Sequence, residues 1–208
     1  MVETAPFIIA LVALVVAIFW IILKNASAKI EAQFEHLAKG LELELEIPAP
    51  KLAGFVRNEP AVFGTYRGRE VSISVPGKGL QGTRQIETVL KIELRDKTLS
   101  AQFIKAGMMG KLGQRDSKGA ARWKSGDEAF DDSVDVRSNH GERLSALLSS
   151  EDRVWISQTL KKYKPNIYIG AGVIAYTELG LIGNEPARER FEQAIEFLCD
   201  LAETVEAA

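Results

Sequence analysis

The chain has 208 residues and a net charge of −2, so no overall field points to nucleic acid. Its single cysteine, Cys199, excludes an internal disulfide framework and a thiolate zinc site, and fits a reducing compartment. No internal repeat is present.

Residues 5–23 read APFIIALVALVVAIFWIIL and carry no charged side chain. A helix of that length rises about 28 Å, close to the roughly 30 Å of a bilayer's hydrocarbon core. This predicts one transmembrane helix. A cleavable signal peptide has a basic start and a shorter apolar run. Here the start is MVETAP, although Ala26-Ser27-Ala28 resembles a cleavage site. Lys24, Lys29 and Lys39 follow the span and no Lys or Arg precedes it. That bias predicts a single-pass cell-membrane protein with its amino terminus outside and its carboxyl-terminal domain in the cytoplasm. Phe19, Trp20 and Lys24 suit the interfacial layer. The span holds no polar group of the kind a transport path needs, so it reads as a plain anchor. Ala13 and Ala17 would let two such helices approach, which makes a homodimer one candidate assembly.

Residues 24–39 are expected to continue as a juxtamembrane helix. Ile30, Phe34, Leu37 and Leu41 form its apolar stripe, expected to pack on the folded domain rather than on a second copy, and Gly40 is its expected stop. Residues 40–60 read as a short strand and a connector: Leu41, Leu43, Leu45 and Ile47 alternate with Glu42, Glu44 and Glu46 before Pro48.

Residues 61–206 form the globular domain. Strands are predicted at 62–67 and 70–76, around Arg67-Gly68-Arg69. A long strand follows at 83–94, with Ile86, Thr88, Leu90, Ile92 and Leu94 on one face and Glu87, Lys91 and Glu93 on the other. Arg95-Asp96-Lys97 reads as a hairpin turn into a strand at 99–105, making an antiparallel meander. A glycine-rich loop spans 106–126. Phe130, Val134 and Val136 suggest another strand. Two helices follow, at 142–148 and from a Ser150-Glu151-Asp152 cap to about residue 163, the second burying Val154, Trp155, Ile156 and Leu160. Residues 166–170 and 173–178 form a hairpin across Ala171-Gly172. The last helix is capped by Asn184, with Pro186 in its first turn. Phe191, Ile195, Leu198, Ala202 and Val205 form its apolar stripe, with Glu189, Glu192, Glu196, Asp200 and Glu203 opposite. The sum is an α+β fold: an antiparallel sheet of about seven strands covered by carboxyl-terminal helices.

The motifs with known chemistry are incomplete. Gly77-Lys78-Gly79-Leu80-Gln81-Gly82 matches a dinucleotide fingerprint, but TRQIETVLKIEL follows with period two where a helix must bind the pyrophosphate. Gly110-Lys111 has Lys105 where a phosphate-binding loop requires its first Gly, and Leu112 where it requires Ser or Thr. No cofactor is therefore expected. His36 and His140 lack partners at ligand spacing. The acidic run Asp127, Glu128, Asp131, Asp132 and Asp135 lacks the central Gly of a calcium loop, so no metal is expected either. On a strand, Asp131 and Asp135 would share a face with Ser133.

The informative stretch is the basic loop. Lys105, Lys111, Arg115, Lys118, Arg122 and Lys124 face only Asp116, and Met108, Met109, Leu112 and Trp123 are interleaved. Beside a bilayer this composition suits anionic lipid headgroups, and tethering makes weak contacts sufficient. The reading is a non-enzymatic, membrane-anchored cytoplasmic binding or scaffold domain. It would contact lipid headgroups or a protein partner through Lys105, Met108, Met109, Lys111, Arg115, Lys118, Arg122, Trp123 and Lys124. Nucleic acid is not expected as a partner. The alternative is an enzyme whose site is assembled from distant residues such as Asp131, Asp132 and His140.

Overall fold

A computed structural model describes residues 4–49, 59–76, 86–107 and 120–207. The order of elements is α1 (Thr4–Leu41), β1 (Glu44–Glu46), β2 (Ala61–Tyr66), β3 (Arg69–Ser74), β4 (Glu87–Glu93), β5 (Ala101–Lys105), β6 (Ala121–Trp123), α2 (Glu128–Ser133), β7 (Val134–Ser138), α3 (Gly141–Leu147), α4 (Ser150–Tyr163), β8 (Asn166–Gly170), β9 (Val173–Leu179) and α5 (Glu185–Ala207). The strands form a single antiparallel sheet of nine, in the order β1-β2-β3-β4-β9-β8-β5-β7-β6. The fold is α+β, with carboxyl-terminal helices on the sheet.

One continuous helix, α1, has two halves of different character. Its first half is long and apolar enough to cross a membrane and buries nothing in the domain. Its last turns belong to the core: Phe34 and Leu37 are both 0% exposed, and Ala38 and Leu41 are buried with them. The stripe therefore packs on its own domain. The helix runs past Gly40 to Leu41 because Glu42, not the glycine, takes the left-handed position at φ 55. The Leu43 amide then donates back to the Ala38 carbonyl at 2.8 Å, the closing bond of a Schellman motif. That reversal leaves three residues for β1.

The β2–β3 hairpin turns at Arg67 (φ 50) and Gly68 (φ 74), both left-handed as a two-residue type I′ turn requires. Ala171 (φ 54) and Gly172 (φ 79) do the same between β8 and β9. This second hairpin corrects the expected meander. β4 pairs with β3 and β9, and β5 pairs with β8 and β7, so residues 95–97 join strands that are not neighbours. The chain from Leu94 instead skirts the tip of the inserted hairpin, with the Leu94 amide donating to the Gly172 carbonyl at 2.8 Å.

Three further readings shift. Residues 128–133 are helix, not strand: Asp127 caps α2, its carboxylate accepting from the Ala129 and Phe130 amides at 3.0 and 3.2 Å. The cap of α4 is Ser149, one residue earlier than expected, in a capping box with Asp152. Val154 points outward at 54% exposure, and Trp155 is half-buried, stacked on Phe197 with ring centroids 3.8 Å apart. The 106–126 segment also contains β6, which the sequence pattern did not mark.

The α5 stripe is buried as read, together with Cys199 and Ala194. Its acidic side is not an open patch. Arg67 Nη1 donates to Asp200 at 2.7 Å and to Glu196 at 3.3 Å, and Nη2 donates to Glu203 at 2.8 Å. Arg69 holds Glu206 with both Nη atoms, at 2.7 and 2.8 Å. The β2–β3 turn is thereby fastened along α5.

Candidate functional site

Strand direction alternates across the sheet, so its ends sort into two edges. The end of β3, the start of β4, the end of β9, the start of β8, the end of β5 and the start of β7 share one edge. The α1 helix leaves the domain from this edge. Ile30 Cγ1 lies 3.9 Å from where a Cβ on Gly183 would stand, and Gly183 lies four residues past the end of β9, just before α5. Farther along, Gly40 approaches Glu192 of α5 in the same way, at 4.0 Å. So α1 and α5 run in the same direction, away from this edge, and the apolar half of α1 projects off it. From Leu23, the end of the uncharged run, to Ile30 is a rise of about 10 Å.

Several sequence-predicted residues lie at or near this edge. Lys105 ends β5 opposite Val134, exposed, and continuing the β5–β8 register brings it level with Pro165. Lys124 follows β6 and is exposed. Arg122 and Trp123 have other duties. Arg122 Nε pairs with the buried Asp135 carboxylate at 2.9 Å. Trp123 packs against the core beside Gly141. Met108, Met109, Lys111, Arg115 and Lys118 lie outside the described residues, as does the 77–82 glycine motif.

Pattern reading missed the basic residues at the end of α4. Lys161 and Lys162 occupy its last turn and Lys164 is its left-handed cap, all three exposed. They sit close to the start of α5: Arg190 lies over the Tyr163 ring at 4.2 Å, and Lys162 Nζ lies 4.8 Å from the same ring. The run Lys-Lys-Tyr-Lys was visible, but only the fold places it at the same end of the sheet as the exit of α1. Arg190 also donates from Nε to Glu178 at 2.8 Å, and the buried Tyr176 hydroxyl donates to the same oxygen at 2.8 Å. Burial first, then the Glu178 charge, raises the Tyr176 pKa well above the ordinary phenol value. This network fixes β9 to α5 and leaves Tyr176 a neutral donor.

The residues of the enzyme alternative are kept apart. Asp131 sits in α2, accepting from the Ser125 amide and hydroxyl at 2.8 and 3.0 Å. Asp132 is exposed on the same short helix, and His140 precedes α3 at the far end of β7. Among the described residues no three His, Cys, Asp or Glu side chains converge on a metal position. Shallow grooves mark the surface of the described residues, two of them wider than the rest described. One, of about 570 Å³, lies on the helix-free sheet face between Phe63, Thr65, Ser72, Lys91 and Glu93. The other, of about 640 Å³, lies between α1 and α5 at Gln33, His36, Lys39, Arg188 and Glu192. Both are open and of mixed polar and apolar lining, shaped for surface contact rather than for enclosing a small molecule.

A scan with protein-family models and a search of curated proteins found no match. Among solved structures, the crystal structure of the mycobacterial trehalose monomycolate transport factor A, TtfA, is similar over 85% of this chain and 94% of that one, with a TM-score of 0.56 and 10% identity. At that identity the likeness concerns the fold alone.

Proposed function

We propose that this protein is a single-pass, membrane-anchored accessory domain without catalytic activity, held against the cytoplasmic face of the bilayer to dock a protein partner or the lipid surface. One observation carries the reading. The helix that can span a membrane is the same rigid piece whose last turns, with Phe34 and Leu37 fully buried, complete the domain's core. Such a domain is not on a string: its edge is held at a fixed height, with Trp20 and Lys24 in ring contact at 5.2 Å where the interface would lie. The commitment of Asp131 to Ser125, with His140 at the opposite end of β7, favours docking over catalysis. A supporting role beside membrane machinery also agrees with the name of the fold neighbour, a transport factor.

The test is topology in cells. Protease applied to intact cells should leave the domain whole, protease applied to opened cells should digest it, and alkaline washing should leave it with the membrane. Digestion in intact cells would overturn the orientation, and release by alkali would overturn the anchor.

A further inference from the structure

Resting on that anchored reading, we infer that Lys105, Lys162 and Lys164, with Ile86 and Leu179, form a second membrane contact that lays this edge of the domain on an anionic lipid surface. Ile86 and Leu179 lie at the same end of the sheet, where β4 begins and β9 ends, at 56% and 60% exposure, with the Gly180 amide bonded to the Ile86 carbonyl at 2.9 Å. Leu179 is level with Glu87, so the two side chains leave this end on opposite faces. Large apolar side chains exposed at the edge from which an apolar helix departs have an apolar phase within reach. The lysines flank them. Lys105 reaches the level of Pro165, next to Lys164, through the β5–β8 register. None of the three makes an ion pair among the described residues.

The carboxylates nearby are mostly committed. Glu178 holds Arg190, Glu185 lies 3.4 Å from Arg188, and Asp131 accepts from the Ser125 amide and hydroxyl. Asp132, Glu189 and Glu46, the last ending β1 at this edge, remain as exposed opposing charges. The height is right: the edge meets α1 about 10 Å of helix beyond the apolar run, and the headgroup layer occupies roughly half of that. The remainder is within one Debye length, about 8–10 Å at physiological salt. Each lysine so placed multiplies the docked population about fivefold on an anionic leaflet, and three together about 100-fold.

The experiment uses the full chain in vesicles with a bimane label at Leu179→Cys or, separately, at Val12→Cys; the native Cys199 is buried and stays unlabelled. In phosphatidylglycerol-containing vesicles, quenching of the residue-179 label by the uncharged quencher acrylamide should fall several-fold relative to phosphatidylcholine alone. The variant Lys105→Gln/Lys162→Gln/Lys164→Gln should restore it. Equal quenching in the two vesicles, or no effect of the triple variant, overturns the inference. The residue-12 label separates the two readings. If it is shielded while residue 179 stays equally exposed, only the edge contact fails. If residue 12 is itself quenched, the anchor fails and the edge contact with it.

Discussion

Trp123 occupies the space that a side chain at position 141 would need: a Cβ on Gly141 would fall 2.5 Å from the indole Cδ1 and 3.3 Å from Cγ. The glycine that opens α3 is thus a receptor for the one aromatic residue of β6. An edge strand of three residues has little ladder of its own, and this contact ties it to the body of the domain.

Gly141→Ala should therefore destabilise the domain by about 1–3 kcal/mol, the usual cost of overpacking. Thermal melting of the full chain in detergent would show it. The pair Gly141→Ala with Trp123→Leu should recover part of the loss, because the smaller side chain vacates the contested space. If Gly141→Ala alone is neutral, Trp123 is free to swing away and its assignment to the core is wrong.

That relationship also marks where the sequence stops being legible. The apolar stripes of α1 and α5 and the β8–β9 hairpin could be read because each is a local period or a local turn signal. Trp123 was readable only as an aromatic among basic residues, since its partner Gly141 lies across a helix and a strand. The same holds for Arg67 and Arg69. Their neighbours suggested a turn, but the acidic side of α5 that they grip lies more than a hundred residues later. The insertion of β8–β9 between β4 and β5 is likewise non-local, and a chain pattern of strand, turn, strand cannot distinguish it from a hairpin. The acidic run at 127–132 misled because its helix is a single capped turn, too short to show helical periodicity.

Cys199 provides a reporter of global opening. It is fully buried on α5, and burial pushes its thiol up to about 11. A thiol-selective reagent at neutral pH should leave the native chain unmodified and react fully once denaturant unfolds it. Its reaction rate should track the unfolding transition of the sheet, since the residue lies in the same core as Phe34 and Ile195. Rapid labelling of the native protein would show that α5 opens locally while the sheet stays folded.

Acid should loosen the domain through two carboxylates on its far side from the apolar helix. The Thr98 hydroxyl donates to Asp96 at 2.7 Å and the Thr98 amide at 2.6 Å, and with Arg143 they hold the Asp96 pKa down at about 2 against partial burial. Glu206 is lowered as well, first by its hydrogen bonds from Arg69 and then, against burial, by the Arg95 amide, which donates at 2.7 Å. Both groups bind fewer protons folded than unfolded, so their contribution is complete above the unfolded values near 4 and 4.5. It is lost as pH falls through the folded values, toward about 2 for Asp96. Glu59 works in the opposite sense, because burial, followed by the Glu31 charge, raises its pKa. The domain should thus be flat in stability near neutrality and should weaken below about pH 4. Asp96→Asn should lower Tm by roughly 3–12 °C at pH 7, a charged hydrogen-bond cluster being worth about 1.5–3 kcal/mol. At pH 2 most of the gap between the variant and the parent should have closed, since the folded carboxylate is then about half protonated and little of its advantage is left. An equal gap at both pH values would mean that the Thr98 and Arg143 contacts act through shape and not through charge.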